Sequence, residues 1–270
     1  MATSRAQPAL AAFVLHSYDF SESSLVVELF TRSLGRLVAV AKGAKRPTSN
    51  FRPVLLPFHR LALTLSRPSA DPEAEVRTLR SAEWGGGRPL APRLLMSGFY
   101  LNELLMKLLA RHDPHEQLFA AYGQALATLA WADEQAALRA FELELMREVG
   151  VLPELGRTTT TLRALEPAAP YRLSGEAGLA EAPLADFQGA LAGEHWLALA
   201  QALQTQDHTA LCTAALAAGP ALRTQLRALL HYHLGTSRLR SRDAMRDARA
   251  LLDAASSGDR LSISASGNPS

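Results

Sequence analysis

One cysteine in 270 residues, Cys212, excludes an internal disulfide framework and any zinc site built from several thiolates, and it fits a reducing compartment. Lysine is almost as scarce, with only Lys42, Lys45 and Lys107, so nearly all the positive charge is arginine. No stretch approaches the roughly 18 continuous apolar residues that a membrane span needs. The opening passage "MATSRAQPALAAFVLHSYDF" has an apolar run, but Tyr18 and Asp19 close it and no small-residue cleavage site follows, so it does not read as a signal peptide. These absences predict a cytoplasmic protein with no membrane partner. The net charge of +2 demands no polyanionic partner either, so any electrostatic function must rest on local clustering. With 48% hydrophobic and 20% charged residues the composition is ordinary for a globular protein, and the length suits about two domains.

What is present divides the chain in two. From residue 9 to about 83 the sequence reads as short strands: "AFVLHSYD", "SSLVVELFT", "RLVAVAK", "FHRLALTLS" and "AEVRTLRSAE". Leu61, Leu63 and Leu65 alternate at period two, and prolines 47, 53, 57, 68 and 72 punctuate the intervals. Five strands in about seventy residues fit a small Greek-key barrel, either an OB-fold or an SH3-like barrel. "WGGGRP" at Trp84–Pro89 is hinge-like, and after it the period becomes helical. Leu94, Leu101, Leu104, Leu105 and Leu108 mark a first helix, and Leu118, Tyr122, Leu126 and Leu129 a second. Asp133 caps a third, which ends near Gly150.

Residues 151–182 break the pattern as a loop or hairpin insert, and helices resume near Asp186. Pro220 sits in the first turn of a later helix that Gly235 ends, and a short helix starts at Ser241. The expected organisation is α+β: an all-β OB-fold barrel over 1–83, a mainly helical domain over 84–250 and a disordered tail over 251–270.

Familiar catalytic and cofactor patterns are missing. "AKGAK" lacks the glycine spacing and hydroxyl of a phosphate-binding P-loop, and Gly85–Gly87 lack a strand-turn-helix setting. His16, Ser17 and Asp19 are local neighbours on alternating faces of a strand and cannot form a relay. His231 and His233 diverge on a helix. His112 and His115 read as a polar turn between helices rather than metal ligands, and Cys212 as a small core residue.

Between Glu28 and Asp71 the chain carries Arg32, Arg36, Lys42, Lys45, Arg46, Arg52, Arg60 and Arg67 and no acid. Two of the three lysines flank Gly43. Such a run is either a solvated turn or a phosphate-binding face, and one-signed clusters of this kind give nucleic-acid affinity by releasing counterions. Phe51 and Phe58 are nearby candidates for stacking unpaired bases. On the helical half, Arg139 lies beside Leu138 and Phe141, while Arg223 and Arg227 are four apart on one helix face. Arginines among apolar residues suit an acidic, apolar peptide, or simply snorkel over the rim of the core.

These passages together resemble the RecO family of bacterial recombination mediators. The resemblance runs from about Ala12 to Arg249 and rests on "AFVLHSYDFSESSLVVELFTRSLGRLVAVAKGAKR", "EVRTLRSAE", "SGFYLNELLMKLL", "LRAFELELMREVG" and "HLGTSRLRSRDAMR". It implies an N-terminal OB-fold and a helical C-terminal domain. It also implies binding of single- and double-stranded DNA, strand annealing, and work with RecR to load RecA onto DNA covered by single-strand-binding protein (SSB).

The family's basic barrel face corresponds to Arg36, Lys42, Lys45, Arg46 and Arg52. Grip on the acidic SSB tail falls on Arg139, with Arg223 and Arg227 less securely matched. Many relatives carry a four-cysteine zinc site where this chain has "GVLPELGRTTTT", with Thr158 and Thr161 in place of the first cysteine pair. Hydroxyls do not replace thiolates there, so no zinc is expected. An RNA-binding OB module and an enzyme with a site assembled from distant residues are the alternatives. A nucleoid-associated, non-enzymatic protein is the expectation.

Overall fold

In the computed structural model, residues 9–67, 76–183, 188–235 and 238–244 are described. The expected restart of helix at Asp186 and the tail 251–270 lie outside them. Five strands close a barrel: β1 (Leu10–Asp19), β2 (Leu25–Thr31), β3 (Gly35–Ala41), β4 (Arg60–Leu65) and β5 (Arg77–Trp84). Their order around the barrel is β1-β2-β3-β5-β4, with β3 and β5 parallel and every other pair antiparallel. This five-stranded Greek-key closure is the OB-fold, and it resolves the choice between the two barrels that the strand count leaves open.

The period-two pattern sends Ala12, Val14, Val27, Leu29, Leu37, Ala39, Leu61, Leu63, Leu65 and Leu79 into the barrel interior. The alternate residues Phe13, Leu15 and Phe30 are buried as well, but in a second core shared with the helices. That explains why "AFVL" and "LVVELF" lack a polar face: each strand is covered on both sides.

A 3₁₀ turn at Pro92–Leu94 leads into α1 (Leu95–Leu108), followed by α2 (Glu116–Thr128) and α3 (Glu134–Glu148). Asp133 caps α3 as expected, its Oδ1 accepting from the Ala136 N–H at 2.9 Å. The insert is more ordered than a single hairpin. Strands β6 (Pro170–Ser174), β7 (Gly178–Glu181) and β8 (Leu191–Ala192) form an antiparallel sheet in the order β7-β6-β8. It extends ten residues beyond 182 because β8 leads directly into α4 (Gly193–Thr205).

The last long helix, α5 (His208–Leu234), kinks at Gly219 just before Pro220 and ends at Gly235. Residues 240–244 are helical, one residue ahead of the expected start. Trp196, Tyr100, Tyr122 and Phe141 are fully buried, each stabilising the fold by about 2–3 kcal/mol on area grounds.

Barrel and helices meet tightly. Phe13 packs against Phe119 and Tyr122 with ring centroids 5.0 and 4.9 Å apart. The Asn102 side chain donates to the Leu15 carbonyl at 2.9 Å, and the Tyr122 hydroxyl donates to Asn102 Oδ1. The β2–β3 turn lies against the α1–α2 connection. Gly35 there has φ +67°, and a Cβ would sit 2.0 Å from the Asp113 carbonyl oxygen, so no other residue fits.

Candidate nucleic-acid interface

The strand "RLVAVA" ends at Ala41, and the chain then runs through residues 42–57 as a succession of turns. The N–H groups of Ala44, Arg46, Ser49, Arg52, Val54 and Leu55 each donate to a carbonyl three or four residues earlier. Ala44 and Leu55 anchor the loop in the barrel core, so the cations between them are held on a fixed backbone. Gly43, at φ +71°, reverses the chain between the two lysines.

The loop forms a ridge between two grooves. One, of about 620 Å³, is lined by Lys42, Arg46, Arg80, Phe51 and the polar run Thr48–Asn50, with Glu83 as its acid. The other, of about 560 Å³, is lined by Lys45, Arg52, Phe51, His16, Leu56 and Phe99. Lys42, Arg46, Arg52 and Arg80 are exposed, and none pairs with a carboxylate among the described residues. Lys45 is half-buried; its Nζ donates to the Ser21 carbonyl at 3.1 Å and lies 3.3 Å from the exposed Asp19 carboxylate. One of its three N–H bonds remains for a ligand.

Arg36 does not belong to this face. Its guanidinium donates to the Leu109 carbonyl at 3.1 Å and lies 3.5 Å from the buried Glu28, which also pairs with Arg111 at 2.8 Å. A carboxylate inside an apolar strand draws the nearest cations inward, because a lone buried charge is costly. Arg32 and Arg60 also lie away from the loop, together lining a groove beside Phe13 and Phe119, and Arg32 pairs with Glu116. The seven residues of β2, about 20 Å long, separate Arg32 from the loop end of the barrel. Seven of the eight cations of the acid-free window, Arg67 apart, are therefore divided between opposite ends of the barrel.

Phe51 borders both grooves, whereas Phe58 is buried against Phe99 and Gly98 and lines the groove of Arg32 and Arg60 instead. Arg80 joins the groove from β5; it lies beyond Asp71, so the acid-free window did not reach it.

On the helical side the three arginines do not share a surface. Arg139 is 5% exposed and bonds to the fully buried Glu142, which the Tyr100 hydroxyl also approaches as donor. Arg242 completes the cluster, donating to the Tyr100 oxygen at 2.6 Å with its guanidinium 4.8 Å from the ring centroid. Arg139 is thus held inside the helical core, while Arg223 and Arg227 are exposed on α5. In the insert the hydroxyls of Thr158 and Thr161 hydrogen-bond to each other at 2.6 Å. Among the described residues no three His, Cys, Asp or Glu side chains converge as metal ligands, and no helix is long and apolar enough to cross a membrane.

The fold defines an OB-barrel protein with an appended helical region. Family comparison narrows the class. The family described as Recombination protein O N terminal matches residues 8–86, and Recombination protein O C terminal matches residues 91–243. A DNA repair protein RecO of Polaromonas sp. (strain JS666) is 50% identical over 247 residues. Proteins of the same description from Variovorax paradoxus (strain S110) and Acidovorax ebreus (strain TPSY) are 50% and 48% identical over 253 and 254 residues. Each match covers 89% of this chain and 96% of the relative. The chain belongs to the RecO family.

Proposed function

We propose that this protein is a non-enzymatic mediator of DNA repair and homologous recombination. Its barrel holds the phosphate backbone of single- and double-stranded DNA through Lys42, Lys45, Arg46, Arg52 and Arg80. It anneals complementary strands, and with RecR it helps load RecA onto DNA covered by SSB. The observation that carries the reading is the pair of cationic grooves on a rigid loop of an OB barrel in a RecO-family chain. Annealing of this kind needs no nucleotide hydrolysis: neutralised phosphates repel less, and base pairing supplies the driving energy. The insert works without zinc, its two threonine hydroxyls being poor substitutes for thiolates.

Fluorescence anisotropy with a labelled oligonucleotide across a salt series tests the reading. The triple variant Lys42→Glu, Lys45→Glu, Arg46→Glu should keep its fold and lose on the order of 100-fold in affinity at 0.1 M salt. Its log-log salt slope should be shallower by about 0.7 per lost contact on single strands. Unchanged binding by the variant would remove this face. Preference for RNA over DNA of the same sequence would redirect the function to an RNA-binding module.

A further inference from the structure

As β1 leaves the barrel it places a ring at every second residue: His16, Tyr18 and Phe20. From Ala12 to Leu15 the strand is buried, and after the register shift between Val14 and His16 these rings face solvent. Tyr18 is 44% and Phe20 63% exposed, and the His16 and Tyr18 rings meet edge-on at 4.4 Å. A single exposed aromatic residue is unremarkable in itself. A row of rings on a hairpin fastened to a cationic loop is a different object.

The fastening is explicit. The Phe20 N–H donates to the Ser24 carbonyl at 3.2 Å, closing the tip. The Gly43 N–H donates to Ser24 Oγ at 3.4 Å, and the Lys45 N–H to the Ser23 carbonyl at 2.9 Å. Lys45 Nζ reaches the Ser21 carbonyl in addition. The hairpin backbone that carries the rings is therefore tied to the cationic loop at Gly43 and Lys45.

We infer that Tyr18 and Phe20 form a stacking platform for unpaired bases, which makes this face selective for single-stranded over double-stranded nucleic acid. The inference rests on the DNA-binding reading above. Phosphate contacts by lysine and arginine are common to both forms, since both present the same charged backbone. Ring stacking is not, because a duplex keeps its base faces stacked on one another, whereas a single strand exposes them and any base can stack. The acidic residues at the hairpin, Asp19 and Glu22, work against simple charge attraction there, so the rings supply what the tip contributes to binding.

The experiment compares wild-type protein with Tyr18→Ala/Phe20→Ala and with Tyr18→Phe/Phe20→Trp. Each is titrated with labelled oligothymidylate and with a duplex of equal length, with melting curves confirming that all three are folded. The alanine pair should lose about tenfold or more in single-strand affinity. Its duplex affinity and its salt slope should stay unchanged, and the aromatic pair should bind like wild type. Equal losses on both ligands, or no loss on either, would overturn the platform while leaving DNA binding intact. Failure of the wild-type protein to bind either oligonucleotide would overturn both readings together.

Discussion

His208 opens α5 deep in the helical core, with its Nδ1 3.0 Å from a Glu144 carboxylate oxygen on α3. Burial alone would lower its basicity. Hydrogen bonding to Cys212 and Glu144, with the charge of Glu144, outweighs that and pushes the imidazole up to about 9. A pKa raised from 6.5 means that the folded state holds the proton more firmly than the unfolded chain. The resulting stabilisation, at most about 3 kcal/mol, is complete below pH 6.5 and fades as pH climbs through 9. Urea denaturation at pH 6.5 and 9.5 should therefore show a larger loss of stability in wild type than in His208→Gln. Parallel losses would show that the pair does not couple to folding. The residues facing inward on α3 follow the same logic: Arg139 meets Glu142 and Glu144 meets His208, so each buried charge has a partner. The sequence displays all four, but Arg139 beside Leu138 and Phe141 looks there like a binding residue, because spacing along one helix does not reveal what covers it.

Among the elements, α3 is nearly all buried and reads poorly as amphipathic, whereas α5 keeps a clear outer face. Arg223 and Arg227 lie on that face beyond the Gly219 kink, and Arg227 joins Arg242 in lowering the His231 pKa, after burial. The SSB-tail proposal therefore moves to α5. A labelled acidic peptide ending in phenylalanine should bind wild type and weaken about tenfold or more for Arg223→Glu/Arg227→Glu, since each arginine–carboxylate contact contributes about 1.5 kcal/mol or more. Equal affinity for both proteins would clear the helix of that role. Arg139→Glu is not a clean test of the same idea, because a second carboxylate beside Glu142 would damage the core first. The strands were more legible than the helices. Leu61, Leu63 and Leu65, which alternate at period two, do line the barrel interior, and Pro47, Pro53 and Pro57 fall between β3 and β4.

At the scale of the whole molecule, barrel and helices share one hydrophobic core and an ionic junction around Glu28. The Arg36 carbonyl accepts the His112 N–H at 2.8 Å, so backbone, side chain and charge all cross the same seam. Unfolding should show one cooperative transition, and Glu28→Ala should cost about 3–5 kcal/mol by leaving Arg36 inside without its acid. Two separated transitions, or a loss below about 1 kcal/mol, would mean that the two halves are only loosely joined.

The order of strands and helices, the cap at Asp133, the helix start at Pro220 and the cationic loop after Ala41 were all written locally. Their causes act within a few residues: side-chain period, backbone restriction and like charge held close along the chain. Only the tertiary structure decided which cations share a surface. Glu28 took Arg36, α2 took Arg32 through Glu116, and β5 delivered Arg80 from outside the window. Barrel closure sets those pairings, and it brings together residues whose distance in sequence carries no information about their distance in space.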